Sequence, residues 1–130
     1  MSVALPLAES SQPDSDAHVF STFLRLADEW SLTNAQRSTL LDIQGRTFYR
    51  WKTNPDQLHL SHDQRTRISY LVNIYLDLHA IFDDEPRMAN EWIHHKNDAF
   101  AGKAPLEALL TGTFADFYTM YQEVHRTANA

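Results

Sequence analysis

The chain has no cysteine, which excludes disulfides, thiolate metal sites and a cysteine nucleophile together. Its three glycines are too few for a glycine-rich loop that cradles phosphate. Nowhere do about 18 apolar residues follow one another, and the first residues lack a basic stretch leading into an apolar run. Neither membrane spanning nor secretion is indicated, and the expectation is a cytoplasmic protein with no membrane partner.

What is present is a chain of 130 residues, 43% hydrophobic and 12% aromatic, enough for one core or two small ones sharing helices. The formal net charge of -6 argues against nucleic acid, because neutralising phosphates takes Lys and Arg. The distribution argues the other way. Residues 31 to 70 hold Arg37, Arg46, Arg50, Lys52, Arg65 and Arg67 against Asp42, Asp56 and Asp63, while five bases face fourteen acids elsewhere. A basic reading face on an acidic body gives such a count, as do a few solvated arginines.

Residues 1 to 16, rich in Ser, Pro, Ala and acids, read as a disordered leader. From Ala17, the residues Val19, Phe20, Phe23, Leu24, Leu26, Ala27 and Trp30 recur at helical spacing. Thr33 with Gln36 forms a capping-box pattern that opens a second helix, ending near Leu41. In the connection Asp42-Ile43-Gln44-Gly45, Asp42 tolerates left-handed geometry and Gly45 relaxes the backbone. A third helix is predicted from Arg46, with Phe48 and Trp51 on one face and Arg46, Thr47 and Arg50 on another.

A helix-turn-helix needs that division, because its second helix anchors in the core while offering donors to base edges and phosphates. The bland reading is a helical hairpin with solvated arginines. Turn length, aromatic anchors and local charge together select the reader, and Arg46, Thr47, Tyr49, Arg50 and Lys52 become the candidate DNA-binding residues.

Asn54-Pro55-Asp56 ends the third helix, and a second capping box, Ser61 with Gln64, opens the longest one, running to about His79. Its stretch Tyr70 to Leu78 is apolar on more than one side, which predicts a helix both central to the fold and shared across a homodimer. Asp83-Asp84-Glu85-Pro86 breaks the pattern. A helix is then expected from Arg87 to about His95, with Met88, Ala89, Trp92 and Ile93 inward.

Pro105 suits the first position of a further helix that Gly112 stops, with Glu107 in its positively polarised first turn. Thr113 with Asp116 caps a last helix whose stripe Phe114, Phe117, Tyr118, Met120, Tyr121 and Val124 reads as core with a partly exposed aromatic rim. The predicted fold is all-α, with a helix-turn-helix region over 17–80 and a second helical region over 81–130. The spacing of aromatic, amide, glycine and proline residues from Trp92 to Gly112 suggests a shaped surface for another protein. His59, His62, His94 and His95 invite a metal, but surface or capping histidines are the commoner case. No catalytic residue, metal or cofactor is assigned.

The region from about Leu32 to Gly112 resembles the Xre/MbcA/ParS antitoxins, which join an Xre-like helix-turn-helix to a C-terminal toxin-binding domain. Its carriers are Arg46 to Trp51, Leu58, Arg65 or Arg67, Ile81-Phe82, Ala89, Trp92-Ile93, Asn97, Phe100, Gly102, Pro105-Leu106, Leu109-Leu110 and Gly112. The chain departs from the family where it has Ala101-Gly102 in place of two glycines, Lys96 in place of a proline before Asn97, and no glycine from Arg126 to Ala130.

The resemblance implies a homodimer that represses its own operon at operator DNA and neutralises a RES-domain toxin, an enzyme that degrades NAD. It places toxin binding on Trp92, Asn97, Phe100, Gly102 and Pro105, and active-site obstruction on the final turn and tail from His125 to Ala130, with Arg126, Asn129 and Ala130 as its candidate residues. The other readings are a stand-alone helix-turn-helix regulator and a protein-binding module without DNA affinity.

Overall fold

The computed structural model describes residues 15–83 and 85–130, and these build an all-α fold of seven helices joined by 3₁₀ turns and short loops. They are α1 (Asp16–Glu29), α2 (Asn34–Leu41), α3 (Gly45–Thr53), α4 (His62–Ile81), α5 (Pro86–Glu91), α6 (Pro105–Leu109) and α7 (Phe114–Ala128). Among the described residues, no helix is long and apolar enough to cross a membrane.

Most of the predicted leader, residues 1–14, lies outside the described residues, but its last residue is corrected: Asp16 is helical. Ser15 caps α1 by accepting from His18 N–H, which leaves the Asp16 carboxylate free to bridge. It accepts from Leu60 N–H at 3.1 Å and pairs with Arg65 at 2.8 Å, so it ties the start of α1 to the start of α4.

Both predicted capping boxes form. Thr33 accepts from Gln36 N–H while the Gln36 amide reaches back to Thr33 N–H, and Ser61 with Gln64 does the same. Helix α2 ends as expected with Asp42 in the left-handed region at φ 56°, and Ile43 N–H donates to the Ser38 carbonyl to close the turn. The assignment for Gly45 is corrected. Asp42 makes the reversal, and Gly45 is the first residue of α3 without a positive φ.

Helix α4 packs against α1, α2, α5 and α7, which explains why its apolar residues follow no single face. Ile68, Leu71, Ile74 and Leu78 are buried with Phe23 of α1 and its C-cap Trp30, Leu40 and Leu41 of α2, Ile93, Leu109, and Phe117 and Met120 of α7, in one continuous cluster. The predicted helix over 87–95 is shorter than expected. Helix α5 stops at Glu91 and a 3₁₀ turn continues over Trp92–His94. Ala89 and Ile93, four residues apart, take the inward positions, so Met88 lies off the buried stripe and is 52% exposed rather than inward.

Polar contacts close the seam between α1 and the second half of the chain. Glu29 accepts from the Tyr75 hydroxyl at 2.7 Å and from the Asn90 amide at 3.3 Å, and the Asn90 carbonyl lies 2.9 Å from His79 Nε2. Burial and the neighbouring Glu29 carboxylate hold the Tyr75 hydroxyl in its neutral form, its pKa pushed up to about 12. His94 Nε2 sits 2.7 Å from the Trp30 carbonyl, an acceptor, so that nitrogen carries the proton.

Arg67 joins three regions from the interior. Its guanidinium donates to the Leu40 carbonyl at the end of α2 (3.3 Å) and to the Gly112 carbonyl ahead of α7 (2.7 Å). It also lies 4.9 Å from the Phe114 ring centroid and 5.3 Å from that of Phe117.

Candidate functional site

Two surfaces collect the residues singled out by the sequence. The first is α3. Phe48 and Trp51 turn inward and meet the Phe20 ring edge-on, at centroid distances of 5.8 and 5.9 Å. Anchoring those two rings points the opposite side of the helix at solvent. Arg46, Tyr49, Arg50 and Thr53, spaced i, i+3, i+4 and i+7, form one exposed row, and Tyr49 is 68% exposed. Lys52 is exposed at the margin with its ammonium 5.6 Å from the Phe48 ring centroid. Thr47 sits half-buried on the flank. Thr53, seven residues after Arg46, joins this row without being one of the candidate DNA-binding residues.

The local base count is explained residue by residue. Arg37 is held by the Asp28 carboxylate at 2.8 Å and by the Leu32 carbonyl at 3.0 Å, Arg65 pairs with Asp16, and Arg67 is buried. Among the described residues, Arg46 and Arg50 carry no salt bridge. Within residues 31 to 70, the positive charge offered outward is therefore concentrated on α3, more narrowly than the base count over that stretch implies.

The second surface lies between residues 81–100 and the end of α7. Trp92 and Phe100 meet edge to face at 6.0 Å, both half-buried. With Ile81, Phe82, Asn97, Glu123, Val124 and Thr127 they line a groove of about 280 Å³.

The loop after Trp92 holds its shape through Asn97. Its N–H donates to the Lys103 carbonyl, its carbonyl accepts from Phe100 and Gly102, and its side chain accepts from Ala99 N–H at 2.9 Å. Ala101 (φ 58°) and Gly102 (φ 77°) both occupy the left-handed region, which gives a physical reason for glycine at both positions. Ala101→Gly is expected to raise stability by about 0.5–1 kcal/mol, read as a shift of the denaturant midpoint at unchanged slope. A midpoint that stays put or falls would show the loop is unstrained at Ala101. Pro105 is buried as the first residue of α6, with the Glu107 carboxylate accepting from Ala104 N–H at 3.4 Å. Asn97, Gly102 and Pro105 thus shape this surface, whereas Trp92 and Phe100 present part of their rings on it.

The final turn and tail belong mostly to α7, which stays helical to Ala128. Arg126, Asn129 and Ala130 are exposed, Arg126 pairs with Glu123, and the Asn129 amide donates to the His125 carbonyl at 2.8 Å. The start of α7 is capped by Thr113, and hydrogen bonds from Thr111 and Thr113 hold the Asp116 carboxyl below its usual range. Along α7, Phe117, Met120 and Val124 are buried while Phe114 and Tyr118 stand 41% and 48% exposed, the rim the spacing predicts.

Of the histidines, His59 is exposed near Asp16 and His95 lies 4.0 Å from Glu91. Among the described residues, no three His, Asp or Glu side chains are placed to hold a metal ion.

Residues 10–73 match the antitoxin Xre-like helix-turn-helix domain, and residues 77–126 match the antitoxin Xre/MbcA/ParS C-terminal toxin-binding domain. The chain is also similar to the uncharacterized protein y4oB of Sinorhizobium fredii, 34% identical over 121 residues that span 90% of this chain and 92% of that one.

Proposed function

The chain belongs to the Xre/MbcA/ParS antitoxins, and from that premise we propose that it binds and blocks a RES-domain, NAD-degrading toxin and represses its own operon as a homodimer. Region 17–80 acts on operator DNA through Arg46, Thr47, Tyr49, Arg50 and Lys52, and region 81–130 acts on the toxin in the cytoplasm. One observation carries the toxin half of this reading. The last turn of α7 offers Arg126 and Asn129 to solvent, beside a groove walled by Trp92 and Phe100.

A cleft that consumes NAD is concave and must recognise phosphates and rings. A helical turn carrying a guanidinium and an amide can fill such a cleft by shape and charge while undergoing no chemistry. Trp92, Asn97, Phe100, Gly102 and Pro105 then supply or shape the surrounding grip, and Arg126, Asn129 and Ala130 the obstruction.

The test is removal of residues 126–130, followed by measurement of NAD consumption by a RES-domain enzyme co-expressed with the chain. Inhibition is expected to weaken at least about tenfold while assembly of the complex falls less, since those residues are a small part of any standard-sized interface. A shortened chain that still inhibits fully would rule out the terminal turn as the plug. Failure to co-purify with that enzyme at all would reject the toxin assignment.

A further inference from the structure

We infer that His125 is a positioning residue: paired with Asp77, it fixes the last turn of α7 in the pose that obstructs the toxin. The inference rests on the reading just given. Asp77, on α4, is fully buried. Its Oδ2 accepts from His125 Nδ1 at 2.9 Å, while its Oδ1 is buried without a hydrogen-bond partner. One turn earlier on the same face of α4 sits Asn73, also fully buried, whose amide donates to the Ser69 carbonyl and whose Oδ1 is likewise unpartnered.

Such a carboxylate is an expensive core residue. Burying a carboxyl group with one oxygen unsatisfied opposes folding, and an apolar side chain of similar volume is often as stable or more so. What a carboxylate supplies, and an aliphatic group does not, is a directional anchor for one imidazole.

The site of that anchor is informative. Val124 is the last buried residue of α7, and the hydrogen bonds of the Arg126, Thr127 and Asn129 side chains all stay within the helix. Among the described residues, the bond from His125 to Asp77 is therefore the last side-chain hydrogen bond tying α7 to another helix. The imidazole is stacked on Tyr121, with centroids 5.1 Å apart and planes 22° from parallel, and one turn on, Asn129 donates to the His125 carbonyl. A ring held on these sides fixes the rotation of the turn that follows, and with it the direction in which Arg126 and Asn129 project. Without the anchor, a helix end with no buried apolar residue frays.

Two variants test this, both in the 130-residue chain in complex with the same co-expressed RES-domain enzyme. In His125→Ala, inhibition of NAD consumption is expected to weaken about tenfold, the equivalent of one buried hydrogen bond, while the affinity of assembly changes less than about threefold. Amide exchange over residues 125–130 should accelerate by a similar factor in the free chain. In His125→Asn, whose side-chain amide can place a donor near the position of Nδ1, inhibition and protection should both return toward wild type.

Full inhibition by His125→Ala would overturn the inference. So would equal loss in both variants, or loss of assembly in parallel with inhibition, which would make His125 ordinary scaffold. The deletion of residues 126–130 separates the two levels. If that deletion releases the toxin and His125→Ala does not, the positioning role alone fails; if it releases nothing, the plug itself is wrong.

Discussion

Replacing Arg67 with alanine is expected to destabilise the chain by about 3–5 kcal/mol, the largest stability effect of any single change argued for this protein. Arg67 is 5% exposed, and its guanidinium satisfies the Leu40 and Gly112 carbonyls while lying over the rings of Phe114 and Phe117. Truncation removes donors from both carbonyls, leaves a void between two aromatic side chains, and deprives Asp63 of the partner 3.5 Å from its carboxylate. For a domain of this size the melting temperature should fall by roughly 10–20 °C. Arg67→Lys should recover part of the loss, because the charge and stem remain while the planar fork does not. An alanine variant that melts within about 3 °C of wild type would mean the guanidinium contributes little, and both carbonyls find water instead.

Changing Arg46 and Arg50 together to alanine is expected to weaken binding to the operator by about a hundredfold or more, taking about 1–3 kcal/mol for each arginine that reads a base or phosphate. The dependence of affinity on salt should become shallower, by about one in log–log slope for each phosphate that is no longer neutralised. Folding should be unaffected, because both side chains stand exposed on the face opposite Phe48 and Trp51. Arg37→Ala is the contrasting control: its guanidinium is committed to Asp28 and the Leu32 carbonyl, so it should lower stability and leave the salt slope alone. Equal salt slopes for wild type and the double variant would remove α3 from the DNA interface and favour a protein-binding module without DNA affinity.

These two cases also show where a linear sequence is readable and where it is not. Capping boxes, the left-handed Asp42 and the stop at Gly112 depend on residues a few positions apart, so Thr33 with Gln36 and Ser61 with Gln64 could be found by spacing alone. The aromatic anchors Phe48 and Trp51 were legible for the same reason. The carbonyl partners of Arg67 and the carboxylate partner of Arg65 were not, because they lie across tertiary contacts: Gly112 is 45 residues from Arg67, and Asp16 is 49 from Arg65. Charge counting treats a buried arginine and a solvated one alike.

Asn97 and Gly102 stood out as residues with a purpose, yet spacing could not separate shaping a loop from touching a partner, and the hydrogen bonds around Asn97 show the first of these. The partnership of Asp77 with His125 had no local signature at all, since its members are 48 residues apart.

The regions that match the two antitoxin domains stop at residue 73 and resume at residue 77, and both limits fall inside α4. Any attempt to splice hybrids from relatives, pairing the operator preference of one with the toxin preference of another, meets this continuous helix at the seam. A joint at residues 74–76 would unite half-helices shaped by different neighbours, and a joint before His62 would carry in an α4 that had never met the recipient's α1. In this architecture new pairings are best sought by repainting the exposed rows of α3 and α7, not by swapping halves.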